Sequence, residues 1–250
     1  MNIAEQRVIV TGAASGLGLA FARRLVSRGA SVWGLDRDVS AIDQVRGDGR
    51  SQGITFIPCD VGVEAEVTAA VAEVDRQAGG VTVLVNNAAI LRDQALVSKL
   101  GKTVRKHSVV EWDETLRSNL TGTFLMAREV VEGMLRARRP GLIVNVSSIS
   151  RAGNPGQSAY GASKAAVDAL TVTWSQELAI YGIRVVALAP GFIETSMTTR
   201  IPPVFLERIR ERTPLGRFGT LDEFGHVIEF IVENDYLNGK VLELDGGLRF

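Results

Sequence analysis

Seven short runs rich in Val, Ile and Leu recur along this 250-residue chain, separated by longer segments compatible with helices. They occupy residues 7–11, 31–36, 54–60, 82–86, 142–148, 183–190 and 240–245. A strand that is apolar on both faces must be covered on both, and alternation with helical segments is the pattern of a parallel sheet with helices on either side. The fold this implies is α/β, a doubly wound parallel sheet of about seven strands. No Pro/Ser-rich linker, low-complexity tract or internal repeat interrupts the pattern. Residues 1–250 are therefore expected to form one domain, and a chain of this length buries about three quarters of its unfolded surface.

Two segments break the rhythm: 91–110, and 192–219 with its Pro202-Pro203 pair. Both follow strands, at the end of the sheet where open α/β folds bind ligands, and long irregular segments in compact domains are commonly functional. Residues 192–219 are expected to form a substrate-binding lid within the domain.

Charge narrows the choice of function. The 28 Lys and Arg residues balance 28 Asp and Glu, so nothing draws the chain toward nucleic acid or an anionic membrane. Cys59 is the only cysteine, read as a small buried residue, and no Cys/His cluster has zinc-ligand spacing. The start of the chain lacks a signal peptide's basic and apolar regions, and no apolar stretch reaches the roughly 18 residues of a membrane span. A cytoplasmic protein without a metal site is expected.

Gly12, Gly16 and Gly18 lie between the first apolar run and a helical segment, 17–26. Glycines placed there allow a tight turn and let backbone N–H groups approach a pyrophosphate at a helix N-terminus, where the dipole favours anions. The G-x-x-x-G-x-G spacing is not the G-x-G-x-x-G dinucleotide fingerprint, so a plain structural turn stays open. Asp36 ends the second run, 18 residues after Gly18, where an acid accepts hydrogen bonds from the adenosine ribose. Its charge would repel the 2′-phosphate of NADP and so favours NAD. Adjacent Arg37, able to pair with that phosphate, leaves NADP open.

Tyr160 and Lys164 stand four apart in a helical segment and so share a face. A positioned ammonium favours the phenolate and draws a tyrosine pKa down from about 10, which makes Tyr160 a candidate general acid/base. The pair has company. Thr11-Gly12, Gly16, Gly18, Asn86-Asn87-Ala88-Ala89, Asn119, Ser147-Ser148, Tyr160, Lys164 and Pro190-Gly191 occur in the order seen in compact short-chain dehydrogenases/reductases, which essentially the whole chain resembles.

The resemblance implies a Rossmann-type fold, a nicotinamide-dependent oxidoreductase and a catalytic tetrad of Asn119, a serine, Tyr160 and Lys164. In that tetrad Tyr160 exchanges a proton with the substrate oxygen while hydride moves between the substrate carbon and the nicotinamide. Lys164 holds the ribose and lowers the tyrosine pKa, the serine binds the substrate oxygen, and Asn119 anchors a relay water. By the same resemblance Gly12, Ser15, Gly16, Leu17 and Gly18 line the pyrophosphate and ribose, and Asp60 and Val61 the adenine. Asn87 and Ala88 lie on the adenosine side, and Ile193 and Thr195 at the nicotinamide carboxamide, with Pro190 and Gly191 also on the cofactor. Ala89 stands where the family usually has glycine and adds a methyl near the nicotinamide pocket.

The family's usual spacing back from the tyrosine gives Ser147 as the catalytic serine. Aligning residues 141–148 on the family's strand gives Ser148 instead, with one residue lost from the following loop. Loops absorb deletions, whereas a one-residue slip turns a strand's side chains to its other face, so Ser148 is expected and Ser147 is the alternative.

Residues 94–110 carry Lys99, Lys102, Arg105, Lys106 and His107 with no acid. Such a patch can steer a phosphorylated substrate, or simply be solvated or lie at a subunit contact. The insertion and the tail look similar to short-chain-type 3-hydroxyacyl-CoA dehydrogenases, and residues 147–160 to 3-oxoacyl acyl-carrier-protein reductases. An acyl-CoA or acyl-carrier thioester is thus the expected substrate. The alternatives are a free secondary alcohol or ketone, steroid-like ones included, and, more distantly, a nucleotide-sensing protein without chemistry. The family resemblance also implies a homotetramer, and Trp33 and Trp174 read as core or subunit-contact residues.

Overall fold

The computed structural model describes residues 1–50, 52–194 and 202–249. In chain order its principal strands are β1 (Arg7–Thr11), β2 (Ser31–Asp36), β3 (Ile54–Pro58) and β4 (Val83–Asn86). After a small hairpin of β5 (Val97–Leu100) and β6 (Thr103–Lys106) come β7 (Gly141–Val146), β8 (Ile183–Pro190) and β9 (Val241–Leu244). The seven principal strands form one parallel sheet in the order β3-β2-β1-β4-β7-β8-β9.

Alternate residues of the same strand enter different cores, which is why these strands are largely apolar. Val8 and Val10 of β1, Val83 and Val85 of β4 and Val186 and Leu188 of β8 face one side. There they meet helices α1 (Gly16–Ser27), α2 (Val39–Gly47) and α8 (Leu221–Glu233) through Phe21, Leu25, Ile42, Phe224 and Ile228. Ile9, Leu84, Ile143 and Val185 face the other side. They meet α3 (Glu64–Ala78) and α5 (Gly122–Arg136) through Val67, Val71, Met126, Val130 and Met134. Trp33 packs in this second core and donates from its indole Nε1 to Gln77 at 2.8 Å, while Trp174 lies at its margin.

Two further helices pack on each other, α4 (Val109–Leu116) and α6 (Ser158–Glu177), and α6 also packs on β8. One more helix, α7 (Pro203–Arg212), lies in the 192–219 segment. The strand order reverses between β1 and β4, the switch point at which such sheets leave a crevice for ligands. The glycine turn leaves β1 there, and Asn86-Asn87 leaves β4 beside it.

Segment 91–110, read from sequence as irregular, instead contains the β5–β6 hairpin and the first residues of α4. The hairpin turns at Gly101, whose φ of +59° suits glycine, and all eight of its strand residues are exposed. A ribbon with both faces in water has no burial pattern for the sequence to display.

Candidate active site

The turn after β1 is held by the segment after β4. Thr11 Oγ1 accepts from the N–H groups of Asn87 at 3.0 Å and Ala88 at 2.9 Å, and Asn87 Nδ2 donates to the Thr11 and Gly12 carbonyls at 2.9 and 3.2 Å. The contact is so close that a methyl on Gly18 would stand 2.1 Å from the Gly12 oxygen, and one on Gly12 would lie 2.9 Å from Ala88 Cα. Gly16 differs. Its φ is +52° and nothing lies within 4 Å of an added methyl, so the space over the start of α1 is open.

The first N–H groups of a helix have no intrahelical partner, and the Ser15 hydroxyl, at the N-cap of α1, does not take them. Leu17 faces the other way, packed against the core. The open glycine surface with free donors at a helix N-terminus fits the pyrophosphate of a dinucleotide.

Asp36, at the end of β2, accepts from the N–H groups of Ala14 at 2.9 Å and Asp38 at 3.1 Å, which pins its carboxylate beside the glycine turn. Arg37 leans toward Asp60 rather than away from it, with Nη1 4.0 Å from Oδ2. Asp60 also takes Gly62 N–H at 2.9 Å and Arg117 at 3.1 Å. Burial alone would raise its pKa, but the Gly62 N–H and the Arg117 and Arg37 guanidinium groups outweigh it and hold the carboxyl below its usual range. Val61 is buried beside it. Arg37, Val39, Cys59 and Asp60 line a shallow recess next to this edge of the sheet. Burial pushes the Cys59 thiol up to about 12, which suits an inert side chain.

Asn119 sits in a π-helical turn, Arg117–Thr121, between α4 and α5. The wide turn presents its side chain to the loop after β4: Oδ1 accepts from Ile90 N–H at 2.7 Å, and Nδ2 donates to the Ile90 carbonyl at 2.9 Å. Nδ2 also reaches Ser163 Oγ on α6 at 3.3 Å. One asparagine therefore ties the β4 loop to the helix that carries Tyr160 and Lys164. π-Turns of this kind cluster at functional sites.

The adjacent serines diverge. Ser147 is buried and donates to the Lys164 carbonyl at 3.3 Å, with Asp168 close by. Ser148 caps the short turn Ile149–Ala152, accepting from Ser150 N–H at 3.1 Å, and its hydroxyl reaches the Tyr160 phenol. Lys164 is buried and donates from Nζ to the Val146 carbonyl at 2.7 Å, 5.7 Å from the centre of the Tyr160 ring.

Burial dominates the electrostatics of the pair. Burial raises the Tyr160 pKa, the hydrogen bond with Ser148 opposes that rise, and the charge of Asp93 adds to it. The Lys164 ammonium sits on the Val146 carbonyl beside the ring. Burial lowers the Lys164 pKa to about 8, against the charge of Asp168.

Pro190 ends β8, and Gly191 N–H donates to the Leu244 carbonyl at 2.9 Å. A methyl on Gly191 would fall 2.6 Å from Asp245 Cα, so glycine is required where the chain leaves the sheet. Ile193 is buried and bridges to Gly219. Thr195 lies outside the described residues.

Sequence reasoning missed Asp93, Arg151 and Asp168, which surround the Tyr160–Lys164 pair. Asp168 had a readable signal, since it follows Lys164 at the same four-residue spacing. Among the described residues no group of three or more His, Cys, Asp or Glu is arranged to hold a metal. Nor, among them, is any helix long and apolar enough to cross a membrane.

A family model described as enoyl-(acyl carrier protein) reductase matches residues 12–249. The chain belongs to the short-chain dehydrogenase/reductase family. It is 39% identical to a 3-oxoacyl-[acyl-carrier-protein] reductase of Thermotoga maritima over 99% of both chains. It is 36% identical to the human 3-hydroxyacyl-CoA dehydrogenase type-2 over 96% of this chain and 94% of that one. A 3-oxoacyl-[acyl-carrier-protein] reductase of Vibrio harveyi is 33% identical over 99% of both. The family's oxidoreductase chemistry, with a nicotinamide cofactor, is thus the chemistry of this fold.

Proposed function

We propose that this enzyme interconverts 3-hydroxyacyl and 3-oxoacyl thioesters with NAD(H). The observation that carries the reading is the meeting of Ser148, Tyr160, Lys164 and Asn119 at the switch-point end of the sheet, in a chain whose relatives are named for those substrates. Tyr160 gives its proton to the carbonyl oxygen on reduction and takes it back on oxidation, while Ser148, already on the phenol, hydrogen-bonds the same oxygen. The nicotinamide, when bound, supplies or takes up the hydride. Lys164 holds the ribose hydroxyls and returns protons to Tyr160. The side chain of Asn119 is taken up by Ile90 and Ser163, so it holds the site together where a relay water would be anchored.

The dinucleotide would lie across Gly12, Ser15, Gly16, Leu17 and Gly18, with Asp60 and Val61 at the adenine and Asn87 and Ala88 alongside. Pro190, Gly191 and Ile193 would close the nicotinamide end. NAD is preferred because the pinned Asp36 carboxylate accepts both ribose hydroxyls and repels a 2′-phosphate, while Arg37 is drawn toward Asp60. The 192–219 segment, of which 195–201 lie outside the described residues, acts as the lid. Lys99, Lys102, Arg105 and Lys106, on or beside the exposed hairpin, meet the phosphates of CoA or of a carrier arm. A cytoplasmic homotetramer is the proposed state, with exposed Phe124 on α5 and Val172 on α6 at the contacts.

The test is a panel of 3-oxoacyl-CoAs, 3-oxoacyl carrier thioesters and simple ketones, followed by NADH absorbance. Turnover of thioesters far above ketones is expected. Turnover of ketones alone would overturn the substrate assignment.

A further inference from the structure

Lys164 has an acidic neighbour that the tetrad does not use. Tyr160, Lys164 and Asp168 follow one another at four-residue steps on α6, so all three lie on one face of the helix. The Asp168 carboxylate is mostly buried and is gripped by Arg151, Nε to Oδ2 at 2.9 Å. Arg151 also grips Glu243 on β9, Glu243 meets Arg249 at 3.1 Å, and Arg249 meets Asp245. Asp245 is the residue packed against Gly191 at the nicotinamide end. Alternating charges thus run from the catalytic helix, through the turn after β7, to the final strand and tail.

The ladder bears on Lys164 because a buried ammonium is costly without a counter-charge. The groups around it can be named element by element. Tyr160 and Asp168 come from α6, Arg151 from the turn after β7, and Glu243 from β9 beyond Arg151. Asp93, from the loop after β4, faces Tyr160. Ser147 and the Val146 carbonyl are neutral. Asp168 is therefore the anion that acts on Lys164, and Arg151 keeps that anion in place.

We propose that Asp168 is a positioning residue that keeps the buried ammonium of Lys164 charged, and that Arg151 clamps it for that purpose. The proposal uses the reading of Tyr160 and Lys164 as the reactive pair, yet its test needs no substrate. The chain has only five lysines, so protein labelled at lysine Cε gives a small NMR spectrum in which Lys164 can be assigned and titrated. In the unaltered protein Lys164 should titrate near 8, the value to which burial brings it. In Asp168→Asn it should titrate at least about one pH unit lower, because the anion opposing burial is gone. Asp168→Glu should restore most of that unit.

The pH profile gives a second reading. For Asp168→Asn, kcat/KM should fall about tenfold or more at pH 9 but less than threefold at pH 6.5, where the ammonium is charged in either protein. A loss of the same factor at every pH would mean a merely structural role and overturn the proposal. So would a Lys164 titration that does not move. If Asp168→Asn does not fold, the unaltered protein still decides: protonation of Asp168 at acid pH must give the Lys164 signal a second inflection, and its absence refutes the coupling. Failure to turn over any thioester would count against the functional reading and leave the titration result standing.

Discussion

Gly16 and Gly18 share one loop, but an added methyl meets different surroundings at each. At Gly16 it finds nothing within 4 Å, so Gly16→Ala costs only the left-handed backbone conformation, φ +52°, which is about 1–2 kcal/mol for an alanine. At Gly18 it would lie 2.1 Å from the Gly12 carbonyl oxygen and 2.5 Å from Asn87 Nδ2, so the turn must open and the Asn87 clamp must loosen. Overpacking against backbone costs about 1–3 kcal/mol, and each of the two strained Asn87 bonds is worth about 1 kcal/mol more. The better helix propensity of alanine returns about 1 kcal/mol. The expected net loss is thus about 1–2 kcal/mol for Gly16→Ala and about 2–4 kcal/mol for Gly18→Ala. Binding should rank the other way relative to stability. Gly16→Ala places its methyl in the open surface over the N-terminus of α1, and NADH affinity should fall at least about tenfold, or 1.4 kcal/mol, in a protein that remains folded. Denaturant unfolding and NADH fluorescence titration measure the two quantities. If Gly16→Ala binds NADH like the unaltered protein, the loop is a structural turn and the cradle argument fails.

Asp36→Ala should narrow the preference for NAD over NADP, and comparable kcat/KM for the two cofactors before mutation would refute the charge argument. Tyr160→Phe should lower kcat by about two to four orders of magnitude with NADH affinity nearly unchanged, and Ser148→Ala should cost more turnover than Ser147→Ala. The opposite ranking of the serines would assign the oxyanion contact to Ser147. Charge reversal at Lys99 and Lys106 should raise KM for an acyl-CoA several-fold, in a salt-sensitive way, and leave KM for a small ketone alone. The change is modest because exposed charge pairs are worth up to about 1 kcal/mol. In the capping box of α8, hydrogen bonds from Arg217 and the Thr220 backbone hold Glu223 at about 2, against 4.5 ordinarily. A carboxyl lowered on folding contributes stability that is complete above its unfolded pKa and vanishes as pH falls through the folded one. Glu223→Gln should therefore flatten the stability profile between about pH 4.5 and 2, and urea midpoints across that range check it.

The parallel sheet was legible because burial on both faces leaves consecutive apolar residues in its central strands: Val8, Ile9 and Val10 are all apolar although they enter opposite cores. Strand ends were less so. The third run was read to residue 60, but β3 stops at Pro58, after which Cys59 N–H still bonds the Asp36 carbonyl while Asp60 turns to Gly62 and Arg117. A polar residue serving a turn and an apolar residue continuing the ladder look alike at an edge. The β5–β6 hairpin left no mark because none of its strand residues is buried.

At the site, spacing along one element was readable and pairing between elements was not. Tyr160 and Lys164 share a face of α6 by their four-residue step, and the strand alignment that favoured Ser148 rests on the same local geometry: neighbouring residues leaving β7 point to opposite sides, so Ser147 turns to the Lys164 carbonyl and Ser148 to the Tyr160 phenol. The effect of Lys164 on the phenol could not be read this way. It depends on how deeply both groups are buried and on Val146, whose carbonyl takes the ammonium from a strand 18 residues away. The same holds for the clamp on Asp168. Arg151 lies 17 residues before Asp168 and 92 before Glu243, in a turn with nothing local to announce an ion pair. Sequence spacing therefore identifies which groups can share a helix face. The charge each carries there depends on burial and on partners from other elements. For Lys164 burial opposes the ammonium, and the Asp168 carboxylate that offsets it, readable as a spacing, is held by an Arg151 that only the fold brings to it.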